Sequence, residues 1–119
     1  KSYVPVRHDV VWLDFEPTKG REIGKYRPAL ILSSKSYHTK TGIVICCPVS
    51  TQIRGADIEV PIEGLGKPSV VISSQVHSLS WRDRKAKKIT TASIETVDAV
   101  MARLLPFIGA DEFIARHHG

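Results

Sequence analysis

Spaced cysteines are missing from this chain: its only two, Cys46 and Cys47, are neighbours inside an apolar run. Adjacent strand residues point to opposite faces, so a disulfide between them would be strained. The pair argues against a stapled secreted scaffold and for a reducing compartment, and metal binding would need several more ligands. No stretch approaches the roughly 18 apolar residues of a membrane span, and the opening Lys1-Ser2-Tyr3-Val4-Pro5 does not read as a signal peptide. A soluble cytoplasmic protein with no membrane partner is therefore expected. His8, His38 and His77 stand alone, with no His-Glu-x-x-His spacing, so neither a metal site nor a cofactor is expected. Gly64-Leu65-Gly66 lacks the further glycine and the Lys-Ser/Thr ending of a phosphate loop. Acidic residues are the minority charge: 12 Asp and Glu against 17 Lys and Arg leave a formal net charge of +5. That balance favours polyanion partners over acidic ones.

With 119 residues, 42% of them hydrophobic, the chain can bury one core and not two. Asp9 to Phe15 alternates, with Val11, Leu13 and Phe15 on one face and Val10 and Trp12 on the other, which predicts a strand. Residues 16–26 hold Pro17, Gly20 and Gly24 among charged side chains, the composition of a solvated loop suited to a lid or binding arm. Apolar runs at Ala29–Leu32 and Ile43–Cys47 predict buried strands, joined by a hairpin-like connection over Ser36–Gly42. Asp57–Ile62 reads as an edge strand because of Pro61, and Ser69–Gln75 and Val76–Trp81 read as two more strands. One helix is expected, from the 3–4 spacing of Val97, Val100, Met101, Leu104 and Leu105, with Ser93 as N-cap and Pro106 ending it. Residues 110–119 read as a flexible tail. A single domain over residues 1–109, mainly β, with short strands forming a small barrel and one C-terminal helix, follows from this pattern.

Two turn-rich stretches beside apolar runs carry the candidate chemistry. Arg27, ahead of Pro28, offers a permanently charged fork of donors that matches phosphate oxygens. Ser50 and Thr51 leave the strand after Cys46-Cys47-Pro48, so a hydroxyl can donate at its exit. Glu22 in the loop is a candidate proton acceptor or a partner for Arg27. Each also has a plain reading: a surface arginine, a turn-forming hydroxyl, a solvated carboxylate. Arg82, Arg84, Lys85, Lys87 and Lys88 follow Trp81, which suggests a positive rim with an aromatic beside it. Cys46 and Cys47 read as core.

Several segments, in this order and spacing, resemble the MazF/PemK toxins of bacterial toxin–antitoxin pairs, most closely the MazF branch. They are Tyr3-Val4-Pro5, Trp12-x-Asp14-Phe15-x-Pro17-Thr18-Lys19-Gly20-x-Glu22, Arg27-Pro28-Ala29, Lys40-Thr41-Gly42, Pro48-x-Ser50-Thr51-Gln52-x-x-Gly55 and Gln75-Val76-x-Ser78-x-x-Trp81-Arg82. The resemblance implies an SH3-like barrel of the CcdB/MazF/PemK type, assembled as a homodimer. It also implies a metal-independent endoribonuclease that cuts single-stranded RNA, the 2′-OH attacking phosphorus to leave a 2′,3′-cyclic phosphate and a 5′-OH. Arg27 and Ser50 match the family's catalytic arginine and hydroxyl, often threonine in relatives, and Glu22 is the candidate base. RNA contacts are expected from Lys19, Arg21, Thr51, Gln52, Gln75, Trp81, Arg82 and Arg84. One branch uses an Arg-x-Asp pair where this chain has Ile72 and Ser74, so that version does not transfer. A MazE-like antitoxin with an acidic, disordered tail is the implied protein partner, with DNA reached only through it. Two other readings stay open: a CcdB-like gyrase poison, and a nucleic-acid-binding barrel without catalysis.

Overall fold

The computed structural model describes residues 3–118; Lys1 and Ser2 of the opening and Gly119 of the tail lie outside them. Among the described residues, seven strands are followed by two helices, with a short helix inserted early. The strands are β1 (Asp9–Asp14), β2 (Tyr26–Ile31), β3 (Ile43–Ser50), β4 (Glu59–Ile62), β5 (Ser69–Ile72), β6 (His77–Ser80) and β7 (Lys87–Thr91). The helices are α1 (Lys35–Thr41), α2 (Ile94–Phe107) and α3 (Ala110–His117). All strand pairs are antiparallel.

β3 organises the sheet. Its first half pairs with β6, Ala29–Ile31 of β2 faces Cys46–Pro48, and Val49 and Ser50 turn away to pair with β5. One strand thus serves two sheet segments, and the whole curls into a half-barrel with β4 and β7 at its ends. Alternation along the strands feeds two cores. Val11, Leu13, Phe15, Ala29, Ile31 and Cys46 pack with Trp81 on one face. Val10, Leu30, Cys47 and Val49 pack on the other against Val97 and Val100 of α2. The adjacent cysteines go to opposite cores and are free thiols. Burial raises both: Cys47 is pushed up to about 12, and Cys46 is also raised, by burial first and the neighbouring thiol second. Each fully buried Val, Leu or Phe contributes about 1.5–3 kcal/mol relative to exposure, which makes β1 and β3 the framework.

The mainly-β expectation and the capped C-terminal helix hold: Ser93 accepts the Thr96 N–H at the start of α2. Pro106 sits in the last turn of that helix, which closes one residue beyond Phe107. Three expectations need correction. Ser36–Gly42 is not a hairpin connection but part of α1, capped by Ser34 and ended by Gly42 at φ +73°. Its only buried residue is His38, so no apolar period marks it. Lys87 and Lys88 of the expected positive rim are exposed but lie on a strand the sequence reading did not place, because the edge of β1 recruits Lys87–Thr91 as β7, with a bulge between Val10 and Val11. The tail folds: Gly109 at φ +83° restarts the chain as α3, with Asp111 and Glu112 in its first turn and Arg116 and His117 in its last. That charge order complements the helix dipole. No helix among the described residues is long and apolar enough to cross a membrane.

Candidate active site

A cleft of about 490 Å³ opens where the 16–26 loop, the exit of β3 and the end of β5 meet. The base of the loop is fixed by the sheet: Phe15 N–H donates to Lys25 O at 2.9 Å. Arg27, half-buried at the start of β2, donates from Nε to Gly24 O at 2.6 Å and from Nη1 to Val49 O at 3.3 Å. Of the guanidinium's five donors, the Nη2 amino group and one Nη1 hydrogen remain for an anion. Partial burial lowers the Arg27 guanidinium from its ordinary value, opposed by the Glu16 carboxylate. Arginine stays charged through such changes.

Ser50 lines the same cleft. Its Oγ accepts the Gln52 N–H at 3.0 Å, which orients the oxygen and leaves the hydroxyl proton to donate. Glu22 also lines the cleft, but is not a loose carboxylate: Oε1 accepts the Lys19 N–H at 2.8 Å, and the Glu22 N–H returns to Lys19 O at 3.1 Å. One carboxylate oxygen therefore holds the loop's turn, and Oε2 has no hydrogen-bond donor among the described residues.

Gln75 braces the loop against the sheet. Its Oε1 accepts the Ile23 N–H at 3.0 Å and its Nε2 donates to Arg21 O at 3.3 Å, so its amide is already engaged. Arg21 and Gln52 line the cleft with exposed side chains; Lys19 and Thr51 are exposed but outside its lining. Ile72 and Ser74 form part of its wall.

Two further cleft residues were not among the expected site residues, Glu59 having been read as part of a polar edge. Arg54 donates from Nη2 to Gln52 Oε1 at 3.0 Å. Glu59 accepts the Arg54 and Gly55 N–H groups at 2.9–3.1 Å, tying the 50–56 turn to β4. The available signal was a basic residue between Gln52 and Gly55.

The expected Trp81 rim does not join this cleft. Trp81 is 8% exposed, packed in the first core, and donates from Nε1 to His38 O at 3.1 Å. Arg82 lies over its ring at 5.2 Å and donates to Thr39 O. Arg84 donates from Nη1 to Asp14 O at 3.0 Å and Glu16 O at 2.8 Å, securing the chain where the loop begins. Trp81 is thus part of the core and Arg82 and Arg84 tie neighbouring backbone, while Lys85, Lys87 and Lys88 stay exposed. Among the described residues, no cluster of three or more His, Cys, Asp or Glu could hold a metal ion.

Half-barrel and cleft together define a small β protein that brings a guanidinium and a hydroxyl to one cleft at the end of its sheet. The chain belongs to the PemK-like, MazF-like toxins of type II toxin–antitoxin systems, whose family model matches residues 6–108. It is 40% identical over 107 residues to the endoribonuclease toxin MazF of Escherichia coli K12, covering 90% of this chain and 96% of that one. MazF from Deinococcus radiodurans superposes with a TM-score of 0.87 at 37% identity, over 91% of this chain and 99% of the other. A MazE–MazF complex from the same organism superposes at 0.80 and 37% identity, over 91% and 98%.

Proposed function

We propose that this protein is an endoribonuclease toxin that cuts single-stranded RNA without a metal ion and so blocks translation and growth. The observation that carries the reading is the convergence of Arg27 and Ser50, 23 positions apart in sequence, on one open cleft in a chain of this family. The ribose 2′ oxygen attacks the adjacent phosphorus, its proton passing to a base. The bond to the 5′ oxygen breaks and that oxygen takes a proton from solvent, leaving a 2′,3′-cyclic phosphate and a 5′-OH. Arg27 holds the non-bridging oxygens as charge grows on them, with two carbonyls fixing its orientation beforehand. Ser50 donates to the same phosphate. Glu22 Oε2 is the proton acceptor, positioned by the turn that its other oxygen closes. Arg21 and Arg54 extend the positive lining along the strand.

The protein acts in the bacterial cytoplasm as a homodimer, restrained by a MazE-like antitoxin whose acidic tail competes with RNA for the cleft. A tail that folds on binding covers a wide surface despite its ordering cost. The test is incubation with long mixed-sequence single-stranded RNA in excess EDTA, beside Arg27→Ala, with cut sites and ends mapped. Cuts at a short recurring motif with cyclic-phosphate and 5′-hydroxyl ends, absent in the variant, are expected. Intact RNA in the presence of folded wild-type protein overturns the nuclease reading and directs the next assay to RNA and gyrase binding.

A further inference from the structure

Beyond the cleft, an aromatic pair stands open on the sheet. Trp12 of β1 and Tyr26 of β2 stack with ring centroids 5.4 Å apart and planes 23° from parallel. They are 36% and 45% exposed. By strand alternation they share the face of Val10 and Leu30, which α2 covers further along the same strands. The face therefore passes from a packed core to a bare aromatic surface. Its geometry is fixed: Trp12 lies opposite Pro28, and the Tyr26 hydroxyl donates to Lys85 O at 3.0 Å. Nothing in the proposed phosphodiester chemistry uses it.

Charge names the occupant. Lys87 lies opposite Trp12 in the register of β1 and β7, Lys25 adjoins Tyr26, and Lys85 receives the Tyr26 hydroxyl; all three are exposed. The one ion pair found among the described residues joins Lys88 to Asp9, so none of these three lysines is paired with a described carboxylate. The neighbouring Asp14 carboxylate accepts the Glu16 N–H and is partly engaged. A flat aromatic surface ringed by unneutralised lysines suits stacked bases whose phosphates lie at the rim.

We infer that the Trp12–Tyr26 stack is a nucleobase-stacking platform for single-stranded RNA, separate from the Arg27 cleft. It holds a flanking part of the strand, whose sequence matters little because every base presents a π face. This rests on the reading that the protein handles RNA. The test is binding of a mixed-sequence 2′-O-methyl oligonucleotide, which lacks the attacking hydroxyl, across a salt series. Trp12→Ala and Tyr26→Leu are each expected to weaken binding about 5- to 150-fold, with the salt slope unchanged because no phosphate contact is lost. Trp12→Phe and Tyr26→Phe keep a ring and should bind within about threefold of wild type. Lys87→Ala should lower the salt slope by about 0.7. Wild-type affinity in Trp12→Ala and Tyr26→Leu overturns the inference. So does a loss confined to the oligomeric state in solution, with RNA affinity per chain unaltered, which would make the face a protein interface. Failure of the wild-type protein to bind or cut any RNA would instead reject the proposed function.

Discussion

Two arginine-bearing regions of this molecule look alike in sequence and differ in structure. At the cleft, Arg27 spends two donors on the carbonyls of Gly24 and Val49 and keeps the rest pointed at an opening that Ser50 shares. At the other, Arg82 lies over the buried Trp81 and bonds Thr39 O, while Arg84 bonds Asp14 O and Glu16 O. What separates these arginines is which of them the fold brings to a shared opening, not how many donors each has spent on the backbone. A guanidinium half-satisfied by carbonyls is oriented and still open, the arrangement that transition-state stabilisation needs. Arg82 and Arg84 also keep free N–H groups, but neither lines the cleft that Ser50 shares.

The comparison can be sharpened first at Arg27. Arg27→Lys keeps the charge and loses the fork, so cleavage should fall about 100-fold in kcat/KM while the unfolding transition stays in place. Next comes the hydroxyl. Ser50→Ala is expected to lower cleavage about tenfold, and Ser50→Thr to retain most of it, because threonine keeps the donor on a stiffer side chain. At the opposite region, Trp81→Phe removes the Nε1–H donor to His38 O. It should cost about 1–3 kcal/mol in denaturant unfolding, with RNA cleavage per folded molecule unaltered. A change in RNA affinity with unaltered stability would break the comparison.

The smallest effect is alkaline. Burial holds Cys47 up to about 12, above its ordinary value of 9.0, and raises Cys46 and Tyr3 as well, the latter by burial first and its hydrogen bond to Asp9 second. The folded state therefore binds more protons than the unfolded chain once the pH passes the unfolded values. Their contribution is fully present below about pH 9 and is lost as pH rises toward the folded values, at about 1.4 kcal/mol per pH unit for each proton of difference. Cys47→Ala should flatten that slope in denaturant titrations between pH 9 and pH 11, though the smaller side chain also lowers stability at every pH.

Much of the fold was legible because it is written in periods. The alternation of β1 assigns Val11, Leu13 and Phe15 to one core and Val10 to the other, and the adjacent cysteines obey the same rule. Ser93 and the spacing of Val97, Val100 and Leu104 mark α2. The missed elements carry little apolar signal: α1 buries one side chain, α3 buries none, and Lys87–Thr91 becomes a strand because the edge of β1 needs partners. At the site, residue types pointed to Arg27 and Ser50 and the chain order brought them to one cleft. How each arginine is oriented was not legible, because the acceptors are the backbone carbonyls of Gly24, Val49, Thr39, Asp14 and Glu16. Every residue has such a carbonyl, so only the folded register decides which of them meets a guanidinium. Gln75 shows the same limit, since its amide bonds the backbone of Arg21 and Ile23.

The most direct measurement sets Arg27→Ala beside Arg82→Ala in single-turnover RNA cleavage, with thermal unfolding of both. The expected result is a loss of about 100- to 1,000-fold for Arg27→Ala with its fold intact, and cleavage within about threefold of wild type for Arg82→Ala. Equal losses in the two variants, or a larger one at Arg82, would show that the open guanidinium of the cleft is not where the phosphodiester is handled.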